Sequence, residues 1–323
     1  MAAYRILSLD GGGIRGLITA VWLSELEKQL GAPVREHFDL VAGTSTGSIL
    51  ACGVSRGIPA EEIVEMYVKH GREVFPGTAS RLWSRVRRTF GEGVSAPKYS
   101  SDGLQKVLKR VFRETTFGKL AIKPTLVTTY NTLTREAVVL KNTRPAYQNL
   151  KVWEVCKCSS SAPTFFPAHV LTLGKKKAPM IDGGVVANNP TACAIAEGLR
   201  LQTEKKGKDT VPLSKFVVAS FGTGATVRPI EIKDALEWGA IEWAIPIIDV
   251  LFDGAGDAVD YVSRQMLPET RYFRFQTELT SAYDDMDNAD ETNINALMNL
   301  ADMYLRGQGQ EKMKKLVKIL KGA

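Results

Sequence analysis

Phe38-Asp39-Leu40-Val41-Ala42-Gly43-Thr44-Ser45-Thr46-Gly47-Ser48-Ile49-Leu50-Ala51-Cys52-Gly53-Val54 is the stretch around which the chain is organised. Phe38 to Ala42 is a short apolar run and reads as a buried strand. Ser48 to Val54 reads as the apolar start of a helix. Between them stands Gly-x-Ser-x-Gly, so the order strand, tight turn, helix is that of a nucleophile elbow. On such a turn Ser45 sits in a strained backbone conformation with its Oγ exposed. Gly43 and Gly47 flank it because side chains there would collide with the adjoining strand and helix. The helix N-terminus behind Ser45 favours negative charge developing in front of it. A chain with this much Gly and Ser also produces Gly-x-Ser-x-Gly as an ordinary turn, so the reading needs support from elsewhere.

The chain has 323 residues, 44% apolar and 24% charged, a composition that builds an ample core without disulfide staples. Its four cysteines suit a reducing compartment. Cys52 and Cys193 fall in apolar helical stretches and read as small buried residues. Cys156-x-Cys158 lacks a second pair or a histidine cluster, so no metal site is expected. The start, Met-Ala-Ala-Tyr-Arg-Ile-Leu-Ser-Leu-Asp, has no charged head followed by an apolar signal core. No apolar run approaches membrane-spanning length. These features lead us to expect a soluble, cytoplasmic protein. With 42 basic and 35 acidic residues the net charge is +7, a mild excess that suits anionic surfaces and does not call for nucleic acid.

Tyr4 to Leu9 reads as a first strand, closed by Asp10 and followed by Gly11-Gly12-Gly13-Ile14-Arg15-Gly16. A helix from Leu17 to Leu30 follows, stopped by Gly31-Ala32-Pro33. Pro59 to Glu62 opens another helix, acidic in its first turn, running to about His70. Strand–helix–strand–helix predicts an α/β fold with a parallel sheet. Gly71 to Tyr99 has no clean period and reads as a mobile loop or cap. Within it, Arg81 to Phe90 mixes Arg81, Arg85, Arg87 and Arg88 with Trp83, Val86 and Phe90, which suits a cap that docks on a membrane. Ser101-Asp102 caps a helix to about Phe112. Pro124–Thr129 and Glu136–Leu140 read as strands, Val152–Ser161 as a helix ended by Pro163, and Pro190–Leu199 as the next helix. Lys215–Ser220 reads as a buried strand. Leu236–Val262 reads as helical, broken near Pro246 and at Gly254-Ala255-Gly256. Arg271–Phe275 reads as an edge strand, and Asn293–Leu305 and Gln310–Leu320 as closing helices. No repeat or long linker divides the chain.

Gly11-x-Gly13-x-x-Gly16 between a strand and a helix also fits a dinucleotide fingerprint. That fingerprint wants an acidic residue at the end of the second strand. Asp39 lies near that strand's start, and its end carries Ser45 instead. The glycine run therefore reads as an anion nest. If both turns share one sheet edge, its amides face Ser45 and form an oxyanion hole. A serine nucleophile also needs a base. His37 precedes the elbow strand, at the far edge. His70 ends a helix as a solvated cap, and nothing positions His169. An aspartate is the alternative. Asp182 is the best candidate: it follows the apolar Pro179-Met180-Ile181 and precedes Gly183-Gly184, which let the chain turn sharply at a strand end.

Gly-Gly-Gly-Ile-Arg-Gly, Gly-Thr-Ser-Thr-Gly and Asp-Gly-Gly, in that order, resemble the patatin-like phospholipase family. Ser8-Leu9-Asp10, Ser159-Ser160-Ser161-Ala162-Pro163-Thr164-Phe165-Phe166-Pro167 and Asn188-Asn189-Pro190 agree with it. The resemblance covers residues 4–200, the catalytic region it implies. Residues 201–323 are expected to complete the same domain with further strands and helices. It implies an α/β, patatin-like three-layer fold with a mostly parallel central sheet flanked by helices. It also implies a Ser–Asp dyad lipid acyl hydrolase without cofactor. Ser45 would be the nucleophile and Asp182 the base, with Gly11, Gly12, Gly13 and Arg15 in the oxyanion loop and Gly16, Gly43, Gly47, Gly183 and Gly184 completing the motifs. The implied partner is membrane phospholipid, met in transient interfacial contact. Alternatives with the same chemistry are neutral glycerides and acyl thioesters. Some bacterial members are switched on by a cyclic dinucleotide and then degrade membrane, so a nucleotide activator is a further partner the resemblance allows. An inactive storage or binding protein is disfavoured by intact Ser45 and Asp182.

Overall fold

The computed structural model describes residues 3–77, 97–205, 210–243 and 246–322, and every structural statement concerns these. The chain begins β1 (Tyr4–Leu9), α1 (Gly16–Leu30), β2 (Leu40–Thr44), α2 (Thr46–Arg56) and α3 (Ala60–Val74). It continues with α4 (Asp102–Phe112), β3 (Thr125–Asn131), β4 (Glu136–Lys141) and α5 (Val152–Ser159). Then come β5 (His169–Leu173), β6 (Lys176–Asp182), a one-turn helix Gly184–Ala187, α6 (Thr191–Glu204) and β7 (Phe216–Phe221). It closes with α7 (Pro246–Met266), β8 (Tyr272–Phe275), α8 (Glu291–Arg306) and α9 (Gln310–Leu320). Two short helices, Ile232–Glu237 and Ala240–Trp243, precede α7.

The strands form one sheet in the order β5-β6-β3-β2-β1-β7-β8, with β4 also paired to β3. The run from β3 to β8 is parallel; β4 and β6 join β3 antiparallel, and β5 and β6 form a hairpin. Parallel strands need both faces covered, and β1 meets this by alternation. Leu7 and Leu9 face a core with α1, α8 and α9, while Tyr4 and Ile6 face one with α6. The result is a three-layer α/β fold with a mostly parallel central sheet between helices. In the first core Trp22 is fully buried against Phe221, Phe275 and Tyr304. Its indole N–H, which would be costly to bury unpaired, donates to Ala301 O at 3.1 Å.

Several elements depart from the expected pattern. Helix α3 runs one turn past His70, to Val74, because Gly71 lies where a Cβ would meet Ile14 at 2.9 Å; a close helix contact, not a loop, uses that glycine. Helix α5 stops at Ser159, two residues early. Helix α7 runs unbroken through Gly254-Ala255-Gly256. The cost of about 1 kcal/mol per helical glycine is offset there by burial of Ile248 and Phe252 from the same helix. The β5–β6 hairpin was not expected. Arg81–Phe90 lies outside the described residues.

Candidate active site

Ser45 falls between β2 and α2 at φ 53°, ψ −124°, a conformation that costs a non-glycine residue of order 1–3 kcal/mol. Two glycines allow it by close approach. A Cβ on Gly43 would stand 2.1 Å from Gly47 O, and one on Gly47 2.1 Å from Leu9 O. Hydrogen bonds hold the elbow on both sides. The Ser45 amide donates to Ser159 Oγ at 2.7 Å, and that hydroxyl donates to Thr128 O at 2.6 Å. Ser48 Oγ donates to Ser45 O at 2.6 Å.

Asp182 ends β6 beside Thr129 of β3 and is fully buried. Ser45 Oγ donates to its Oδ2 at 2.6 Å, and the Gly184 amide donates to its Oδ1 at 2.7 Å. Burial pushes the carboxyl up to about 7, against the pull of these two bonds; removal from water disfavours the charged form. Among the described residues no cation pairs with it. The turn behind it is tight: a Cβ on Gly183 would meet Thr128 O at 2.4 Å, and one on Gly184 the Phe252 ring at 2.6 Å.

The glycine run lies at the same sheet edge, since β1 pairs β2 through Leu9 and Gly43. A Cβ on Gly11 would be 3.2 Å from Ser45 Cβ. The Gly11 amide, however, donates to Asn188 O at 3.0 Å and is not free to serve as an oxyanion donor. The Gly12 and Gly13 amides have no hydrogen-bond partner among the described residues. Gly13, at φ +60°, lines one cavity with Ser45 and Asp182. A Cβ on Gly16 would meet Thr46 Oγ1 at 2.5 Å. The Arg15 side chain leaves this group: it is buried, reaching Thr226 Oγ1 at 3.3 Å and Asp284 O at 3.2 Å. Its guanidinium belongs to the scaffold under the loop rather than to the Ser45 cavity.

That cavity opens to solvent at its mouth. Its Ser45–Asp182 end is polar, and Ile49, Phe75, Leu108, Phe166, Phe252 and Met286 give apolar walls. His70 lines the wall too, but its Nδ1 lies 2.6 Å from Glu73 Oε1; it is a residue of α3's last turns rather than a solvated cap. His169 is on β5, packed edge-on to Trp153, with burial drawing it down to about 4. The Ser45 hydroxyl proton therefore points to a carboxylate and to no histidine. Among the described residues there is no cluster of three or more His, Cys, Asp or Glu that suits a metal, and no helix is long and apolar enough to cross a membrane.

The site also contains residues to which the sequence assigned no role. Ser159 and Asn188 were visible only as parts of longer serine-rich and Asn-Asn-Pro stretches. Arg274, from β8, donates to Asp10 Oδ2 at 2.7 Å and to Ser220 Oγ at 3.0 Å beneath the glycine run.

Comparison with known proteins identifies the family. The model of the "Patatin-like phospholipase" family matches residues 7–195. "Patatin-like protein 2" of Oryza sativa subsp. indica is 30% identical, over 93% of this chain and 83% of its own. "cGAMP-activated phospholipase" of Pseudomonas aeruginosa (strain BWHPSA011 / Pa011) is 32% identical, over 93% of this chain and 86% of its own. Among solved structures, VipD from Legionella pneumophila is 14% identical, covering 94% of this chain and 67% of that one, with a TM-score of 0.40. A family match over more than half the chain, with relatives this similar along nearly all of it, makes the protein a member of the patatin-like phospholipase family.

Proposed function

We propose that the protein is a lipid acyl hydrolase of phospholipase A or lysophospholipase type, with a Ser45–Asp182 dyad. The observation that carries this reading is the 2.6 Å hydrogen bond from Ser45 Oγ to Asp182 Oδ2 at the polar end of an apolar cavity. Asp182 takes the hydroxyl proton as Oγ attacks the ester carbonyl carbon. The Gly12 and Gly13 amides hold the oxyanion that develops. The tetrahedral adduct collapses, the proton passes from Asp182 to the leaving alcohol, and an acyl-Ser45 remains. Asp182 then takes a proton from water as the water oxygen attacks the acyl carbonyl carbon, and returns it to Ser45 Oγ as the acyl–Oγ bond breaks and the fatty acid leaves. The apolar walls suit an acyl chain, and no step calls for a cofactor. Residues 4–200 supply the dyad and the Gly12 and Gly13 amides, and Phe252 and Met286 complete the apolar walls. Residues 201–323 complete the same domain, since β7 and β8 extend the sheet from β1. We assign the protein to the cytoplasm, in peripheral contact with membrane.

A second reading is favoured by one observation, the similarity to a relative described as a cGAMP-activated phospholipase: an effector that degrades membrane when a cyclic dinucleotide binds. Neutral glycerides and acyl thioesters would meet the same dyad. Mass spectrometry of fatty acids and lysolipids released from mixed liposomes, with and without cyclic dinucleotides, separates the three. Lysolipid release by the wild type and none by Ser45→Ala is the expected result. Release from triglyceride or acyl thioester alone would overturn the phospholipid assignment.

A further inference from the structure

Among the described residues, fifteen large apolar side chains are exposed, and nine of them fall between residues 227 and 266, about an eighth of the chain. Monomeric proteins rarely gather exposed apolar groups this way without a use for them. Ile232 and Leu236 are 79% and 81% exposed on the short helix before α7, and Trp238 and Trp243 pack edge-to-face beside it with centroids 5.2 Å apart. On α7, Ile247, Leu251, Gly254, Ala258 and Tyr261 recur at spacings of four and three and all face outward, the pattern of a single helix face. A Cβ built on Gly254 would meet nothing within 4 Å, so the stripe is uncovered along its middle.

The same helix turns Phe252 inward to wall the Ser45 cavity, and Val186, on the one-turn helix after Asp182, is exposed beside it. The apolar face therefore lies one helix diameter, about 10 Å, from the cavity. Charge narrows the choice of occupant. Residues 227–266 carry eight acidic and three basic side chains in a chain that is +7 overall. Two copies joined through this face by a two-fold axis would set acidic rims against each other. An anionic leaflet would be repelled in the same way. Aromatic residues with an apolar stripe and no positive excess suit an uncharged interface.

We propose that the outer face of α7 and the two short helices before it dock on a zwitterionic lipid surface, about one helix diameter from the Ser45 cavity. This rests on the proposed lipid substrate but not on turnover, so the test uses full-length Ser45→Ala protein. Flotation with phosphatidylcholine vesicles, and with vesicles carrying phosphatidylglycerol, measures docking. Ile247→Ser/Leu251→Ser removes two apolar contacts and should weaken partitioning onto phosphatidylcholine by about tenfold or more, with circular dichroism unchanged. Should that variant misfold, tryptophan quenching decides without it. Brominated phosphatidylcholine should quench the unsubstituted protein, and Trp238→Phe/Trp243→Phe should lose most of that quenching. Equal partitioning of variant and parent, or quenching that survives loss of both tryptophans, overturns the proposal. So does a dimer in sedimentation that Leu251→Ser dissociates, which would assign the face to a second copy. Preference for phosphatidylglycerol, lost in salt, also overturns it and moves docking to a basic segment such as Arg81–Phe90. If docking holds while wild-type protein releases no fatty acid, the proposed reaction fails and the surface stands.

Discussion

Asp10 and Asp182 are both buried aspartates at the C-terminal ends of strands, with β3 and β2 between their strands in the sheet, yet opposite in chemistry. Asp10 directly follows β1, with Arg274 on its Oδ2. Burial still pushes it up to about 6, because desolvation outweighs the guanidinium's attraction. Asp182 ends β6 with a hydroxyl and an amide as partners, and burial pushes it up to about 7. A carboxylate locked to a cation holds a charge in place. One bonded to a hydroxyl can receive a proton, and near neutrality it is divided between its two forms. What separates scaffold from proposed base is the partner, not the burial.

The sharpest break of this comparison is to remove each partner in turn. Ser45→Ala and Asp182→Asn should each lower kcat/KM on a phospholipid by about 10³-fold or more, and the double variant should match either single one, since groups acting as a unit are not additive. His169→Gln should retain most activity, being remote from Ser45. A folded His169 variant as inactive as Ser45→Ala would sink the dyad. Arg274→Gln should instead act on stability. Stripping one partner from a buried pair costs about 3–5 kcal/mol, read as a lower urea midpoint. Asp10→Asn/Arg274→Met should recover part of that loss, because no buried charge is then left alone.

What the sequence could tell about these two sites differs for a physical reason. The elbow, the glycine run and Asp-Gly-Gly are local: Gly43, Gly47 and Gly183 stand where a Cβ would come within 2.4 Å of backbone, so the requirement is written into adjacent residues. The α/β alternation was legible for the same reason, and so were the closing helices. Arg274 looked like one residue of an alternating edge strand, because its partner lies at the other end of the chain. Ser159 meets Ser45 across 114 positions, and no local pattern marks such a bridge. The β5–β6 hairpin hid behind Lys175-Lys176-Lys177, whose side chains are exposed and break the apolar run. Gly254 and Gly256 suggested a helix break that packing of Phe252 overrides. Local geometry reads well; pairing at a distance does not.

A pH titration sharpens the comparison at smaller magnitude. If Asp182 is the base, as proposed, it works only when ionised, and kcat should rise with pH through about 7 in the wild type. Stability should move the other way. A folded-state pKa raised from 3.8 to about 7 means the native protein binds more protons than the unfolded chain within that window, so stability falls as pH rises from about 4 to 7 and is level above. Asp182→Asn should flatten this component and be the more stable protein at pH 8. A wild type whose stability rises across that window, with Asp182→Asn unchanged from it, would assign Asp182 an ordinary, solvated carboxyl.

The smallest effect is expected at Ser159, which touches neither carboxylate but holds the serine between them in chain order. Its hydroxyl accepts a hydrogen bond from the Ser45 amide and donates one to Thr128 O, so Ser159→Ala orphans a buried donor and a buried acceptor. Each such loss costs about 1–3 kcal/mol. Part of it should appear as lower stability and part as relaxation of the strained Ser45 backbone. A merely structural serine would lower stability and leave turnover per folded molecule alone. A positioning serine should lower kcat about tenfold with KM little changed, since an elbow displaced by a fraction of an ångström still binds lipid but attacks it poorly. Ser159→Cys, which keeps a weak donor and acceptor, should recover part of kcat without recovering all of the stability. If kcat per folded molecule is the same in Ser159→Ala and wild type, the elbow is held by its glycines and Ser48 alone.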